Sequence, residues 1–207
     1  MRRTKEEAEQ TRRRIMSAAL PVFDERGIAH TTMEHIAEAA GVTRGAIYWH
    51  FADKQALLRA IRQDVSLPLV DRADFTLLSD RQSEPLKRIE RFLLDIITAV
   101  DQDARTRIAC YVMSFKCEYV GELEGELDDY VRQIERTRKN LTQVYVEARE
   151  RKQLRAGLKP EIAALETISF LTGVIRLVLL DRHGTNVSRK VRELVAAHID
   201  LRRASRA

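Results

Sequence analysis

Arg44, Tyr48, Trp49, His50 and Lys54 crowd into one short stretch, Thr31–Lys54, that reads TTMEHIAEAAGVTRGAIYWHFADK. These side chains suit contact with nucleic acid. Arg and His reach phosphates or guanine edges, Tyr reaches phosphates, and the small Gly45 and Ala46 permit close approach. The local pattern fixes how they are presented. Met33, Ile36, Ala37 and Ala40 recur at three- and four-residue steps, one apolar face of a short helix. Gly41 is placed to end it, and Val42 can plug the turn. Thr43 suits the N-cap of a second helix, its hydroxyl accepting from a free backbone N–H. Ile47 and Phe51 give that helix an inner face and leave Arg44, Gly45, Ala46, Tyr48, Trp49 and His50 outside. Two short helices joined by a tight glycine turn form a helix-turn-helix.

Other chemistries find no support. The chain has no P-loop, no G-x-S-x-G, no H-E-x-x-H and no paired metal-ligand spacing. No catalytic residue, cofactor or metal site is expected, and the chain does not read as an enzyme. Cys110 and Cys117 share a helical face but stand about 10 Å apart, too far to bridge within one helix. They read as free thiols of a reducing compartment, with a redox sensor as the alternative. The 207 residues carry 36 Lys and Arg against 31 Asp and Glu, a net charge of +5. That balance permits an anionic partner without requiring one. The charged N-terminus has no apolar signal region, and Pro160–Leu180 is interrupted by polar residues. A soluble cytoplasmic protein with no membrane partner is expected.

Four prolines and eight glycines among long Ala-, Leu-, Glu- and Arg-rich segments indicate an all-α chain. Thr4 with Glu7 fits a capping box ahead of a first helix lined by Ile15, Ala19, Val22 and Phe23. Arg2, Arg3, Lys5, Arg12, Arg13 and Arg14 form a basic arm, either solvated or laid on phosphate or minor groove. Thr31 with Glu34 fits a second capping box, so the next helix starts at Thr31 or Thr32, where a hydroxyl or N–H can hold a phosphate. Asp53 caps a fourth helix. Lys54 in its first turn opposes the helix dipole unless an anion is near, which favours a phosphate. Pro68 should kink or end that helix. Further stripes run through Leu86–Val100, Ile108–Phe115, about Leu127 to Lys152, and Pro160–Leu180. After a loop at 183–186, a last helix capped by Ser188 carries Val191, Leu194, Val195, His198 and Ile199. The total is nine helices. The eighth is apolar on more than one side, so it must be buried on more than one side, either wholly inside its own domain or between that domain and the same helix pair of a second chain.

The stretch GVTRGAIYWHFADK, Gly41–Lys54, resembles the TetR family of one-component transcriptional repressors. The wording TRGAIYWHF, the opening MRRTKEEAEQTRRRI and the segment KCEYVGEL, Lys116–Leu123, resemble its AcrR type, which controls multidrug efflux pumps. The resemblance implies a two-domain fold. A three-helix DNA-binding domain would occupy 1–53, with helix 4 (54–78) as linker, and 54–207 would bind ligand and dimerise. It implies a homodimer paired through helices 8 and 9, reading palindromic double-stranded operator DNA at half-sites ~34 Å apart. Thr32, Thr43, Tyr48, His50 and Lys54 would grip phosphates. Gly45, Ala46 and Trp49 would lie nearest the bases, and Arg44 could do either. A small hydrophobic or amphipathic drug-like ligand would release the repressor. Helical bundles build such sites between facing helices. Cys110, Ser114, Glu118, Arg138, Thr172 and Arg176 interrupt apolar faces, and Leu93, Ile97, Met113, Leu141, Ile168 and Leu171 would be walls. Each of these also reads as core or as an ion-pair partner. Regulation of a metabolic or redox pathway, or activation in place of repression, remains the alternative.

Overall fold

The computed structural model describes residues 5–80, 82–119, 123–181 and 186–204. Among them the chain forms nine α-helices and no β-strand. They are α1 (Lys5–Arg26), α2 (Met33–Ala39), α3 (Arg44–His50), α4 (Lys54–Asp74), α5 (Pro85–Gln102), α6 (Ala104–Phe115), α7 (Glu124–Glu150), α8 (Pro160–Leu180) and α9 (Val187–Asp200), with a π-helical turn at Phe75–Ser79. The all-α, nine-helix expectation is met. The Thr4 cap, Arg2 and Arg3 of the basic arm, Gly121, and most of the loop before α9 lie outside the described residues.

Two compact units emerge. The first gathers the chain up to Leu67 together with Ala104–Leu127. Ile15, Met16, Ala19 and Phe23 of α1 are fully buried with Ile36, Ile47, Leu57 and Ile61. Ala109 and Val112 turn α6 inward in the same unit. α6 packs on α1, and the Ile28 N–H donates to the Lys116 carbonyl at 3.3 Å. This grouping differs from a division after residue 53. The first turns of α4 bury Leu57, Leu58, Ile61 and Val65, which makes them part of the unit rather than a strap leaving it. Pro68 neither ends nor caps α4, which runs on to Asp74. The wider π turn follows it instead.

The second unit holds Pro68–Asp103 and Asp128 onward. α5 lies against α8 and α9, and its Leu86, Ile89, Phe92, Leu93 and Ile97 are completely buried. Leu141, Val144 and Tyr145 of α7 complete the same core. One polar chain crosses it. The Thr167 hydroxyl donates to the Ala163 carbonyl at 2.8 Å, lies 2.7 Å from the Tyr145 hydroxyl and 3.1 Å from His198 Nε2. α7 begins a turn earlier than expected, because Gly125 is accommodated within its first turn. α9 is entered through Asn186 in a left-handed conformation (φ 63°), not through a Ser188 cap. The Ser188 hydroxyl donates instead to Asp101 Oδ1 at 2.7 Å.

Candidate nucleic-acid interface

α2 and α3 are fixed by the features that mark them in the sequence. Gly41 takes φ +60°, its N–H donates to the Glu38 carbonyl at 3.0 Å, and the Val42 N–H reaches back to Ala37 at 2.9 Å. This Schellman closure satisfies the last carbonyls of α2 and turns the chain sharply. Thr43 then caps α3, its hydroxyl accepting from the Ala46 N–H at 3.1 Å. Ile47 and Phe51 are buried and hold α3 down, and Arg12 lies over the Phe51 ring at 5.2 Å.

The opposite side of α3 faces solvent. Trp49 is 71% exposed and Tyr48 41%, unusual for large aromatics on a seven-residue helix. Thr43, Arg44 and Gly45 are exposed beside them, whereas Ala46 and His50 are half-buried. The His50 ring meets the edge of Trp49 at 4.5 Å. A Cβ at Gly45 would meet nothing within 4 Å. The fold therefore does not demand glycine there, although glycine weakens a helix by about 1 kcal/mol relative to alanine. A surface that must admit something close explains it better than packing does.

Two details depart from expectation. The capping box of α2 is built from Thr32 and His35, not from Thr31 and Glu34. Thr32 Oγ1 accepts from the His35 N–H at 3.2 Å, and His35 Nδ1 accepts from the Thr32 N–H at 3.3 Å. Thr31 is buried, its hydroxyl donating to the Gly27 carbonyl at 2.7 Å. Glu34 pairs with Arg44 instead, Oε1 to Nε 3.1 Å. Secondly, Asp53 caps α4 as expected, but the Lys54 ammonium points at three carbonyl oxygens, Ile28 at 2.5 Å, Thr31 at 2.8 Å and Ala29 at 3.3 Å. The partial negative charge of those carbonyls supplies the partner that a phosphate was expected to provide.

The first unit also contains a feature that the sequence does not flag. Glu126 is buried, accepts from Arg59 Nε at 2.9 Å and forms an ion pair with Arg62 at 3.0 Å. Glu126 is one of several glutamates in GELEGEL, and nothing in the pattern distinguishes it.

The residues expected to line a ligand site are distributed over both units. Cys110, Met113, Ser114 and Glu118 belong to the first unit, and the remaining candidates to the second. Cys110 and Met113 are half-buried, while Ser114 and Glu118 are exposed. In the second unit Leu93, Ile97 and Leu141 are fully buried core, with Ile168 and Leu171 packed against them. Arg138 is held by Glu135 through two contacts, 2.8 and 2.5 Å. Thr172 and Arg176 stand on the exposed side of α8 with Ile162, Leu165, Leu177 and Leu180. They are not pocket residues of their own unit, because the helix turns its other side to the core. A groove of about 740 Å³ opens elsewhere, lined by Arg72, Lys87, Arg91, Asp95 and Arg192, and includes none of the candidates. Burial pushes the Cys110 thiol up to about 11 and raises that of Cys117 as well. Both stay protonated at neutral pH, a poor state for a reactive sensor.

Known proteins share this arrangement. Residues 15–61 match the family described as bacterial regulatory proteins, tetR family. Residues 84–203 match the C-terminal region of MAATS-type transcriptional repressors. The chain is 34% identical over 205 residues to the HTH-type transcriptional regulator TtgR of Pseudomonas putida, covering 99% of this chain and 97% of that one. Its fold superposes on NalD, the secondary repressor of the MexAB-OprM multidrug efflux pump in Pseudomonas aeruginosa. The TM-score is 0.82 at 28% identity, over 95% of this chain and 97% of NalD. The SmeT–triclosan complex gives 0.79 at 26% identity, over 93% and 91%; SmeT is the repressor of the Stenotrophomonas maltophilia efflux pump SmeDEF.

Proposed function

This chain belongs to the TetR family of bacterial regulatory proteins and is a DNA-binding transcriptional regulator, not an enzyme; from that premise we propose that it represses a multidrug efflux pump operon. It binds a palindromic operator as a homodimer and is released by a small hydrophobic ligand. The observation that carries the reading is the outward face of α3, with Trp49, Tyr48 and Arg44 exposed around an unobstructed Gly45. Likeness to NalD and SmeT, both named as efflux-pump repressors, supports the choice of target, and the triclosan bound to SmeT supports the ligand class.

Thr32, Thr43, Tyr48 and His50 grip phosphates, and Arg44, Gly45, Ala46 and Trp49 approach the bases. Lys54 serves by holding the turn between α1 and α2 rather than by touching DNA. The dimer forms through α8 and α9. Ile162, Leu165, Leu177 and Leu180 each leave about half their surface in water, as do Leu194 and Leu201 to differing degrees. Covering that stripe recovers on the order of 1 kcal/mol per half-exposed side chain. The same apolar face makes α8 long and apolar enough to cross a membrane by length and composition alone. The protein works in the cytoplasm, where the operator is.

The ligand site lies in the second unit, around Leu93, Ile97, Leu141, Ile168 and Leu171, with Arg138 as a candidate contact. α4 and α7 each run from one unit into the other, at Leu67–Pro68 and Leu127–Asp128. A ligand that favours one setting of these helices shifts the population of DNA-competent dimers. The test is a titration of DNA from the chain's own upstream region, followed through Trp49, the sole tryptophan. Saturable quenching that triclosan reverses is expected. Absence of binding to any palindrome in that region overturns the proposal.

A further inference from the structure

We propose that Glu34 is a specificity-determining residue of the DNA-reading face, aiming Arg44 and thereby setting the choice of one base pair in each half-site. The inference rests on the operator-binding reading above. Glu34 sits in the first turn of α2, one place before the N3 position from which a glutamate ordinarily closes the capping box. His35 performs that closure here, which leaves the Glu34 carboxylate for another partner. That partner is Arg44 at the start of α3, at 3.1 Å through its Nε. The Arg44 guanidinium also lies over the Tyr48 ring, 5.7 Å from its centroid. One neighbour therefore holds the group at its Nε edge and the other along its face. The carboxylate approaches the group at Nε, not from the side of Nη1 and Nη2. These two terminal nitrogens are the fork that donates to guanine O6 and N7 in a major groove.

The sign of the charge gives a second argument. A carboxylate beside a phosphate-binding face repels DNA of every sequence alike. Glu34 and Arg44 are exposed, so their pairing adds little to folding. What the pair does supply is direction, because an arginine held at Nε and over a ring has fewer orientations to lose when it docks. Glu34 thus lowers affinity for DNA in general and raises the contrast between the right base and the wrong ones.

The experiment begins by selecting duplexes from a random pool with the wild-type protein, then substituting each base pair of the selected half-site in turn. Binding is compared for wild type, Arg44→Ala, Glu34→Gln, Glu34→Asp and the Arg44→Ala/Glu34→Gln double variant. Arg44→Ala is expected to erase discrimination at one base pair. Glu34→Gln lowers discrimination at that same base pair by about 3- to 10-fold and tightens binding to unselected DNA by about 2- to 5-fold. Glu34→Asp keeps the charge but is too short to reach Nε, so it loses discrimination without tightening. Adding Glu34→Gln to Arg44→Ala changes discrimination no further. Melting curves verify that each variant is folded. Full discrimination in Glu34→Gln at the Arg44-dependent base pair overturns the inference, as does an equal loss at every position or an Arg44→Ala variant that loses none. Failure of the wild type to select any sequence has a different meaning: it removes the operator-binding reading itself, and this inference with it.

Discussion

Lys54 Nζ lies 2.5 Å from the carbonyl oxygen of Ile28, across the turn that joins α1 to α2. With Thr31 and Ala29 accepting as well, the ammonium ties the start of α4 to the loop that launches α2. Its position at a helix N-terminus, unfavourable by itself, is offset by these carbonyls. Lys54→Met keeps the aliphatic stem and removes the three bonds. Stability should fall by about 1–2 kcal/mol, below the usual range for charged hydrogen bonds because the site is half-open. The dependence of operator affinity on salt should not change. A slope shallower by about one phosphate, with unaltered stability, would return Lys54 to the DNA contacts.

Gly45 gives the opposite signature. Because a Cβ there meets nothing, Gly45→Ala should stabilise the fold by about 0.5–1 kcal/mol through helix propensity. The same methyl group would stand between α3 and the groove floor, and operator affinity should fall by about tenfold or more. Thermal melts and gel shifts on one protein preparation separate the two effects. A variant that melts higher and binds as well as wild type would mean that α3 does not enter a groove at Gly45.

The reading head was legible because its determinants are local. Gly41, Thr43, Asp53, Ile47 and Phe51 act within a turn or two, and each does what its type and spacing imply. Lys54 was not legible, since its partners lie 23 to 26 residues upstream. Nor was Glu126, whose arginines are more than 60 residues away. Glu34 misled because it stands one place from the residue that actually closes the cap. Thr172 and Arg176 show a different limit. α8 is apolar on nearly every side, so periodicity cannot tell its inner face from its outer, and only packing against α5 and α9 settles it.

That outer face makes a firm prediction about assembly. Leu165 and Leu177 are each about half exposed on α8. In a two-fold dimer every such residue occurs twice, so Leu165→Glu would bury two carboxylates against apolar surface, at a cost of several kcal/mol. The variant should sediment as a monomer while retaining its helical circular dichroism. Operator affinity should drop by at least about 100-fold, because the two heads are no longer linked. A persistent dimer would place the interface elsewhere.

The polar chain through the second core predicts how stability responds to acid. The Thr167 hydroxyl gives its proton to Ala163, so Tyr145 and His198 must both donate to its oxygen, which places a proton on His198 Nε2. The His198 ring stacks on Phe170 at 4.0 Å, and Arg202 donates to its carbonyl at 2.7 Å while pairing with Glu166. Burial first, and the Arg202 charge second, hold its pKa down to about 4, against an ordinary value of 6.5. The native state therefore keeps His198 neutral where the unfolded chain already binds a proton. Its contribution is complete above about pH 6.5 and is lost progressively as pH falls toward 4, by at most about 3 kcal/mol. About 2 kcal/mol of that should be gone by pH 5. His198→Gln retains an N–H donor for Thr167 but cannot titrate, so its stability should vary less than wild type between pH 7.5 and 5 by that amount. Parallel denaturation midpoints for the two proteins across that range would show that His198 is not held neutral in the fold.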